Sequence, residues 1–382
     1  MMKYEKSLSS LQSLCVENWP DYIHILSPQI SKSCPTDNNI LLVNEHGKDD
    51  ALVDLQKAFL SCNPCTVVDI VPISLDDYED VLITLENSLP HGKRMVVVNL
   101  CDGSELDGYP GLSIVNQLEK MNIAFTGAGS AFYEDTTSKP VLKRMLQKEQ
   151  VPTSVFVVIR PDSVEEDLDK AAELADWPLI IKPSVSYASI SITDRSVVET
   201  REAALKQINA VIKETNGGVF IESFLAGREF TALCSGDRED GIHVYPVAER
   251  VFNKNLKERQ RILAFDRYWD GYDLDGSIPT TEEELYWYEK AQEDWQDHLR
   301  DIAGRAYLAC GGSGYGRVDI RTKNASELNA YVLEVNANCG LSFGKNSSSL
   351  GEILNLSNVK PSDFCNELIH FALNRQFRNQ NK

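Results

Sequence analysis

Apolar runs and amphipathic stretches alternate through the first third of the chain. Ile40 to Val43 reads as a buried strand, Asp49 to Leu60 as a helix and Val67 to Val71 as a second strand. A helix near Tyr78 to Leu89 leads into Arg94 to Leu100, an apolar run of the kind found where a parallel strand is covered on both faces. Strands alternating with helices predict an open α/β unit, preceded by a leader of about forty residues. Asp102-Gly103 and Asp107 to Gly111 form a turn-rich loop at the end of the third strand, the edge where open α/β sheets bind ligands. Asn122 to Gly127 then reads as a strand ending in a glycine turn, and Lys139 to Glu149 as a helix.

The middle of the chain carries further strand patterns at Ser154 to Ile159, Leu179 to Pro183, Ile190 to Ile192 and Gly218 to Glu222. Helices are expected over Val164 to Leu174 and Glu202 to Glu214. From Phe230 to Gly271 the pattern is again strand-rich. Thr281 with Glu284 fits a capping box, which predicts a long helix from there to Cys310.

Two runs near the C-terminal end, Gly316 to Arg321 and Tyr331 to Asn336, alternate with period two. Side chains two apart in a strand share a face, so Arg317, Asp319 and Arg321 project together, as do Glu334 and Asn336. Paired as a hairpin, the runs would gather two carboxylates, an amide and a guanidinium, a hard-oxygen set suited to Mg²⁺. The same alternation also describes a half-exposed hairpin whose charges are simply solvated. Arg321 gains no role in either case and is expected to be solvated.

Composition narrows the function class. Hydrophobic residues make up 42% and charged residues 25% of 382 residues, ordinary values for a soluble globular protein. The formal charge of −19 argues against a general nucleic-acid or membrane-surface binder. No run approaches a transmembrane length and the N-terminus has no apolar signal core, so a cytoplasmic location is expected. Nine scattered cysteines read as free thiols, and Cys62 with Cys65 has no second ligand pair to make a zinc site.

Lys182 ends a wholly apolar run, where a charge needs a partner, and a hydroxyl-rich loop follows it. The alternatives are a phosphate-binding lysine or one that snorkels from a strand end. Glu222 to Leu225, with Glu229 beyond, could offer backbone groups and carboxylates to a purine and ribose, or simply connect two strands.

Taken in order, Lys139, Leu179 to Ser184, Val219 to Thr231, Gly316 to Asp319, and Leu333 to Asn336 with Gly340 resemble the motifs of ATP-grasp enzymes. The D-alanine–D-alanine ligase group is the most similar, from about Leu100 to the C-terminus. The resemblance implies an α/β (α+β) ATP-grasp fold in three parts. These are an N-terminal open α/β (pre-ATP-grasp) substrate domain (1–137), a central lid domain (138–228) and a C-terminal metal-binding catalytic domain (229–382). It further implies that Lys139 and Lys182 hold ATP phosphates, while Glu222, Ser223, Leu225 and Glu229 hold adenine and ribose. Asp319, Glu334 and Asn336 would bind Mg²⁺, with Mn²⁺ as a substitute, and Arg317 with the Gly340 N–H would face an oxyanion.

Departures from the family gather around the substrates. The loop Ser184 to Ile192 lacks the family's glycines and carries Tyr187 and Ser191, with Ser189 the best match to the catalytic hydroxyl. No first-domain motif for a substrate ammonium is recognisable, although Asn44 to Gly47 and Asp49-Asp50 lie in its place. Arg267 or Tyr268 could stand for the lid's active-site residues, or belong to a basic surface loop. Ser349 and Leu350 match the site for a second substrate's carboxylate, with Lys345 nearby. The implied function is ATP- and Mg²⁺-dependent joining of an amino acid or amino-acid-like acid to an amine through an acyl phosphate. D-Alanyl-D-alanine synthesis proper ranks second, and an idle ATP-binding regulatory protein on the same scaffold is the reading from another class. Small-molecule substrates are the expected partners, with no nucleic acid or membrane, and homodimer formation is left open.

Overall fold

The computed structural model describes residues 19–32, 48–103, 105, 108–185, 192–215, 218–264, 285–344 and 347–381. A parallel three-stranded sheet opens the chain: β1 (Tyr22–Pro28) lies between β2 (Val67–Ile73) and β3 (Met95–Asn99). Helices α1 (Lys48–Cys62) and α2 (Tyr78–Ser88) make the connections. The segment read as a leader therefore supplies the central strand. Its alternation is masked by His24, which is buried like its neighbours Ile23 and Ile25 because a central parallel strand has no solvent face. The strand expected at 40–43 lies outside the described residues. Asn122 to Gly127 contributes only an isolated bridge, Phe125 to Val97, so the fourth strand is not formed. Three helices follow, α3 (Leu112–Lys120), α4 (Ser130–Thr137) and α5 (Lys139–Lys148).

The central sheet has the order β4 (Phe156–Ile159), β7 (Val219–Ser223), β5 (Leu179–Pro183), β6 (Val197–Val198), all antiparallel. Helices α6 (Val164–Leu174) and α7 (Arg201–Thr215) cover it, and their apolar faces make a core of their own around Leu168, Ile181, Ile208 and Ile221. The strand expected at 190–192 lies outside the described residues except for Ile192, and the described partners of β5 are β6 and β7.

The third sheet runs β11 (Tyr286–Lys290), β10 (Ala248–Phe252), β8 (Glu229–Asp237), β12 (Tyr315–Thr322), β13 (Ala330–Ala337), with β9 (Gly241–Val244) also on β8. The long helix expected from Thr281 is divided: β11 comes first and α8 spans Glu293–Ala309. Tyr286 and Tyr288 alternate with charged or exposed neighbours, and β11 pairs with β10 across its whole length, so tertiary pairing overrides the acidic helix-start pattern. The chain closes with α9 (Ser349–Leu356) and α10 (Pro361–Gln380). Helix α10 packs on α1, so the last helix completes the core of the first sheet.

Candidate active site

The hairpin β12–β13 forms as its alternation predicts, with one irregularity that decides its chemistry. Asp319 opposes Glu334 and Arg317 opposes Asn336, but Ile320 opposes Val332, so Leu333 is an extra residue in β13. A bulge of one residue exchanges the faces beyond it. Val332 and Val335 consequently both enter the core with Val318 and Ile320, while Glu334 and Asn336 stay on the side of Asp319. Without the bulge, Val332 and Glu334 would share a face and one of them would be misplaced.

Asp319 is surrounded by donors. Arg317 reaches it through Nε and Nη2 at 2.9 and 2.8 Å, Asn336 Nδ2 at 2.9 Å, and Thr231 Oγ1 at 2.9 Å. Glu334 accepts from Lys139 Nζ at 2.7 Å, at the N-terminal end of α5. Burial opposes the ionised form of Glu334, yet the Lys139 ammonium beside it holds its carboxyl down at about 2. Among the described residues no group of three or more His, Cys, Asp or Glu side chains gathers as a metal cluster. The face instead offers two carboxylates and an amide, a set that fits Mg²⁺, which keeps several positions for water and phosphate. Each carboxylate is balanced by a cation, Arg317 or Lys139, and a divalent ion is the group that would take over that balancing.

Lys182 on β5 and Glu222 on β7 are diagonal neighbours, since Glu222 opposes Ile180 and Lys182 opposes Phe220. Lys182 Nζ donates to Glu222 Oε1 at 2.6 Å, and Lys143 Nζ lies 2.8 Å from Glu222 Oε2. Sequence reasoning missed Lys143, although it follows Lys139 by four residues and so shares its helix face. Lys143 is fully buried and also donates to Thr153 Oγ1, Ser154 Oγ and the Val332 carbonyl. Ser154 donates to Glu222 as well. Burial pushes the Lys143 ammonium down from its ordinary range and would raise the Glu222 carboxyl, but Lys143 and Lys182 together hold Glu222 below it. Two ammonium groups on one carboxylate leave one positive charge, and Lys182 is the partly exposed member that can present it to an anion.

Ser223 follows Glu222 on β7 and its hydroxyl accepts the Asp176 N–H at 3.1 Å, while Leu225 is buried beyond it. Glu229 is buried between two guanidiniums, Arg250 Nη1 and Arg321 Nη1, the latter at 3.3 Å. The solvated Arg321 expected from alternation is thus corrected. It is 3% exposed and also donates to the carbonyls of Gly227 and Arg261 at 3.3 and 2.6 Å, because β12 lies between β8 and β13 and both its faces are covered.

Gly340 lies in the segment after β13, and its carbonyl accepts from Ser348 Oγ at 2.6 Å. A Cβ there would meet only Ser348 Cβ at 3.7 Å, ordinary contact, so internal packing does not demand a glycine. Close approach of a ligand to the backbone is a reason that packing does not supply. Ser349 and Leu350 begin α9, with Ser348 as N-cap; the Leu350 side chain points into the core and Ser349 Oγ lies 2.7 Å from Tyr288 Oη. Ser189, Arg267, Tyr268 and Lys345 lie outside the described residues. Cys62 is half-buried and Cys65 exposed, and neither forms a disulfide among the described residues. No described helix is long and apolar enough to cross a membrane.

Comparison with known proteins supplies an independent frame. Residues 145–370 match the family model described as D-ala D-ala ligase C-terminus. A D-alanine–D-alanine ligase of Nitrosococcus oceani is 28% identical over 224 residues, which is 59% of this chain and 62% of that protein. One from Desulforamulus reducens is 26% identical over 266 residues, 68% of this chain and 77% of that protein. The crystal structure of the Bacillus anthracis D-alanine–D-alanine ligase complexed with ATP superposes with a TM-score of 0.63 at 16% identity, covering 94% of this chain and 99% of that one. The Coxiella burnetii ligase gives 0.64 at 16% identity, covering 95% and 96%. These structural matches establish the fold, the ATP-grasp arrangement of sheets described above.

Proposed function

Because the chain belongs to the D-ala D-ala ligase C-terminus family, we propose that it is an ATP-dependent carboxylate–amine ligase, with D-alanine as both acid and acceptor. The sequence had ranked that substrate second. The relatives named above, all D-alanine–D-alanine ligases, favour moving it first. The observation that carries the reading is the face on which Asp319, Glu334 and Asn336 stand together, with Lys139 bonded to Glu334.

In this reaction class a carboxylate is activated by phosphoryl transfer and then captured by an amine. Asp319, Glu334 and Asn336 would hold Mg²⁺, which when bound neutralises charge on phosphate oxygens. Lys182, backed by Lys143 and Glu222, would present its ammonium to phosphate, and Lys139 would do so from the start of α5. Glu229, fixed by Arg250 and Arg321, would accept from ribose hydroxyls, and the backbone of Ser223 and Leu225 would receive the adenine edge. Arg317, held by Asp319, and the Gly340 N–H would stabilise the oxyanion formed as the amine adds. A single preorganised donor of that kind is worth about 10²–10³ in rate. Ser189 remains assigned to the acyl site, and Ser349 to the acceptor carboxylate.

A second reading, ligation of a different amino-acid-like acid, is favoured by the glycine-free loop after Lys182. Both are tested by following phosphate release and product mass with ATP, Mg²⁺ and D-alanine, then with a panel of other acids. Glu334→Gln should abolish turnover while leaving the circular-dichroism spectrum and melting temperature of the parent. Retained turnover in that variant would remove Glu334 from the metal site.

A further inference from the structure

A buried chain of hydrogen bonds runs from the hinge to the start of α9, and neither the family resemblance nor the sequence pattern pointed to it. Arg250, 3% exposed, bonds Glu229 through Nη1. Its Nε and Nη2 both donate to Tyr288 Oη, at 3.2 and 2.7 Å. The guanidinium is held further between the rings of Tyr286 and Tyr288, its carbon 5.3 Å from each centroid. Tyr288 Oη then lies 2.7 Å from Ser349 Oγ.

Donor and acceptor counting fixes the direction of this chain. A guanidinium can only donate, so the Tyr288 oxygen receives two N–H groups and keeps one hydrogen of its own. That hydrogen is directed to Ser349 Oγ. Ser349 is thereby made an acceptor toward Tyr288, and its own hydrogen is left to be donated elsewhere. The order is Arg250 to Tyr288 to Ser349, with each group donating to the next. A ligand met by an outward-donating hydroxyl at the positive end of α9 is an acceptor-only anion, and a carboxylate is the fitting class.

We propose that Tyr288 is a positioning residue that sets Ser349 as a donor and so selects acceptors bearing a free carboxylate. The inference rests on the ligase reading with D-alanine. It makes the edge of the third sheet formed by β10 and β11 part of acceptor specificity. Tyr288→Phe keeps the ring against Arg250 but removes the hydroxyl, so Ser349 is free to turn and accept.

The test is a competition between D-alanine and D-alaninamide as acceptors, with D-alanine as the acid in both products. Mass spectrometry of D-alanyl-D-alanine against D-alanyl-D-alaninamide reads acceptor choice directly. We expect Tyr288→Phe to shift the product ratio about tenfold toward the amide, the size of one lost hydrogen bond to a charged group. The ATP concentration at half-maximal rate should move less than about twofold, and parental melting would show an intact fold. Ser349→Ala should shift the ratio equally, and the double variant no further than about twofold beyond it. A merely structural tyrosine would slow both products alike, and an unchanged ratio in Tyr288→Phe overturns the proposal. If Tyr288→Phe does not fold, an unchanged ratio in Ser349→Ala overturns it instead. Absence of both products with the parent enzyme overturns the ligase reading itself, and the proposal with it.

Discussion

Glu222 and Glu229 stand seven positions apart on either side of one hinge, and each is a buried carboxylate between two cations. Their partners differ in kind. Glu222 has lysines, of which Lys143 is sealed in the core and Lys182 reaches the site. Glu229 has arginines, both buried, whose forks are occupied on several sides by carbonyls and by the Tyr288 hydroxyl. An ammonium is a compact charge on a flexible stem, so a lysine can be re-aimed without rebuilding its surroundings. A planar guanidinium fixes direction as well as charge. The first carboxylate therefore holds one lysine that can be re-aimed, while the second is fixed in direction by two guanidinium forks, one of which also bonds Tyr288.

The largest effect should come from emptying the lysine pair. Glu222→Ala leaves Lys143 buried without a counter-charge and should cost about 3–5 kcal/mol in urea unfolding. A loss below about 1 kcal/mol would show that Thr153, Ser154 and the Val332 carbonyl suffice for Lys143. The arginine pair is tested by Arg321→Lys, which keeps the charge but cannot reach Gly227, Glu229 and Arg261 together. We expect a loss of about 1–3 kcal/mol by the same measurement. Parental stability there would mean that charge alone matters at Glu229, and the contrast between the two sites would fail.

The smallest effect concerns Lys139 and Glu334, a lysine pair at the rim. Glu334 is held at about 2, below its ordinary carboxyl value. A depressed carboxyl stabilises the fold above the unfolded value of about 4.3, and that contribution disappears as pH falls through about 2. The stability gap between the parent and Lys139→Met should be constant above about pH 5 and close toward pH 2. Glu334 is 31% exposed, so solvent screening keeps the gap small. A gap that widened in acid would assign the depression to another group.

Periodicity carried the sequence reading where one face of an element is wet. The alternation of β13, whose one face is partly exposed, and the amphipathic α1, α2, α6 and α7 were legible, because exposure on one side writes the period into the residues. It failed where elements are covered on all sides. Strand β1 hid behind His24, and Arg321 looked solvated because a charged residue in an alternating run ordinarily is. Strand β11 reads as the start of a helix because acidic residues precede it, and its pairing with β10 is a long-range fact. Ser189 and Arg267 fall outside the described residues, so their assignments stand on resemblance alone.

The sequence by itself determined the family, the identity of the hard-oxygen face and the choice of Lys139 and Lys182 as its lysine candidates. Those properties depend on local period and on residue types in a fixed order. The tertiary structure alone decided that Leu333 bulges so that Val332 and Glu334 can face opposite ways, and that Lys143 and Arg321 are buried partners of Glu222 and Glu229. It also decided that Tyr288 meets Ser349 across 61 positions of chain. Register and burial arise from packing between distant segments, and no local pattern encodes which distant side chain will fill a given carboxylate's last lone pair.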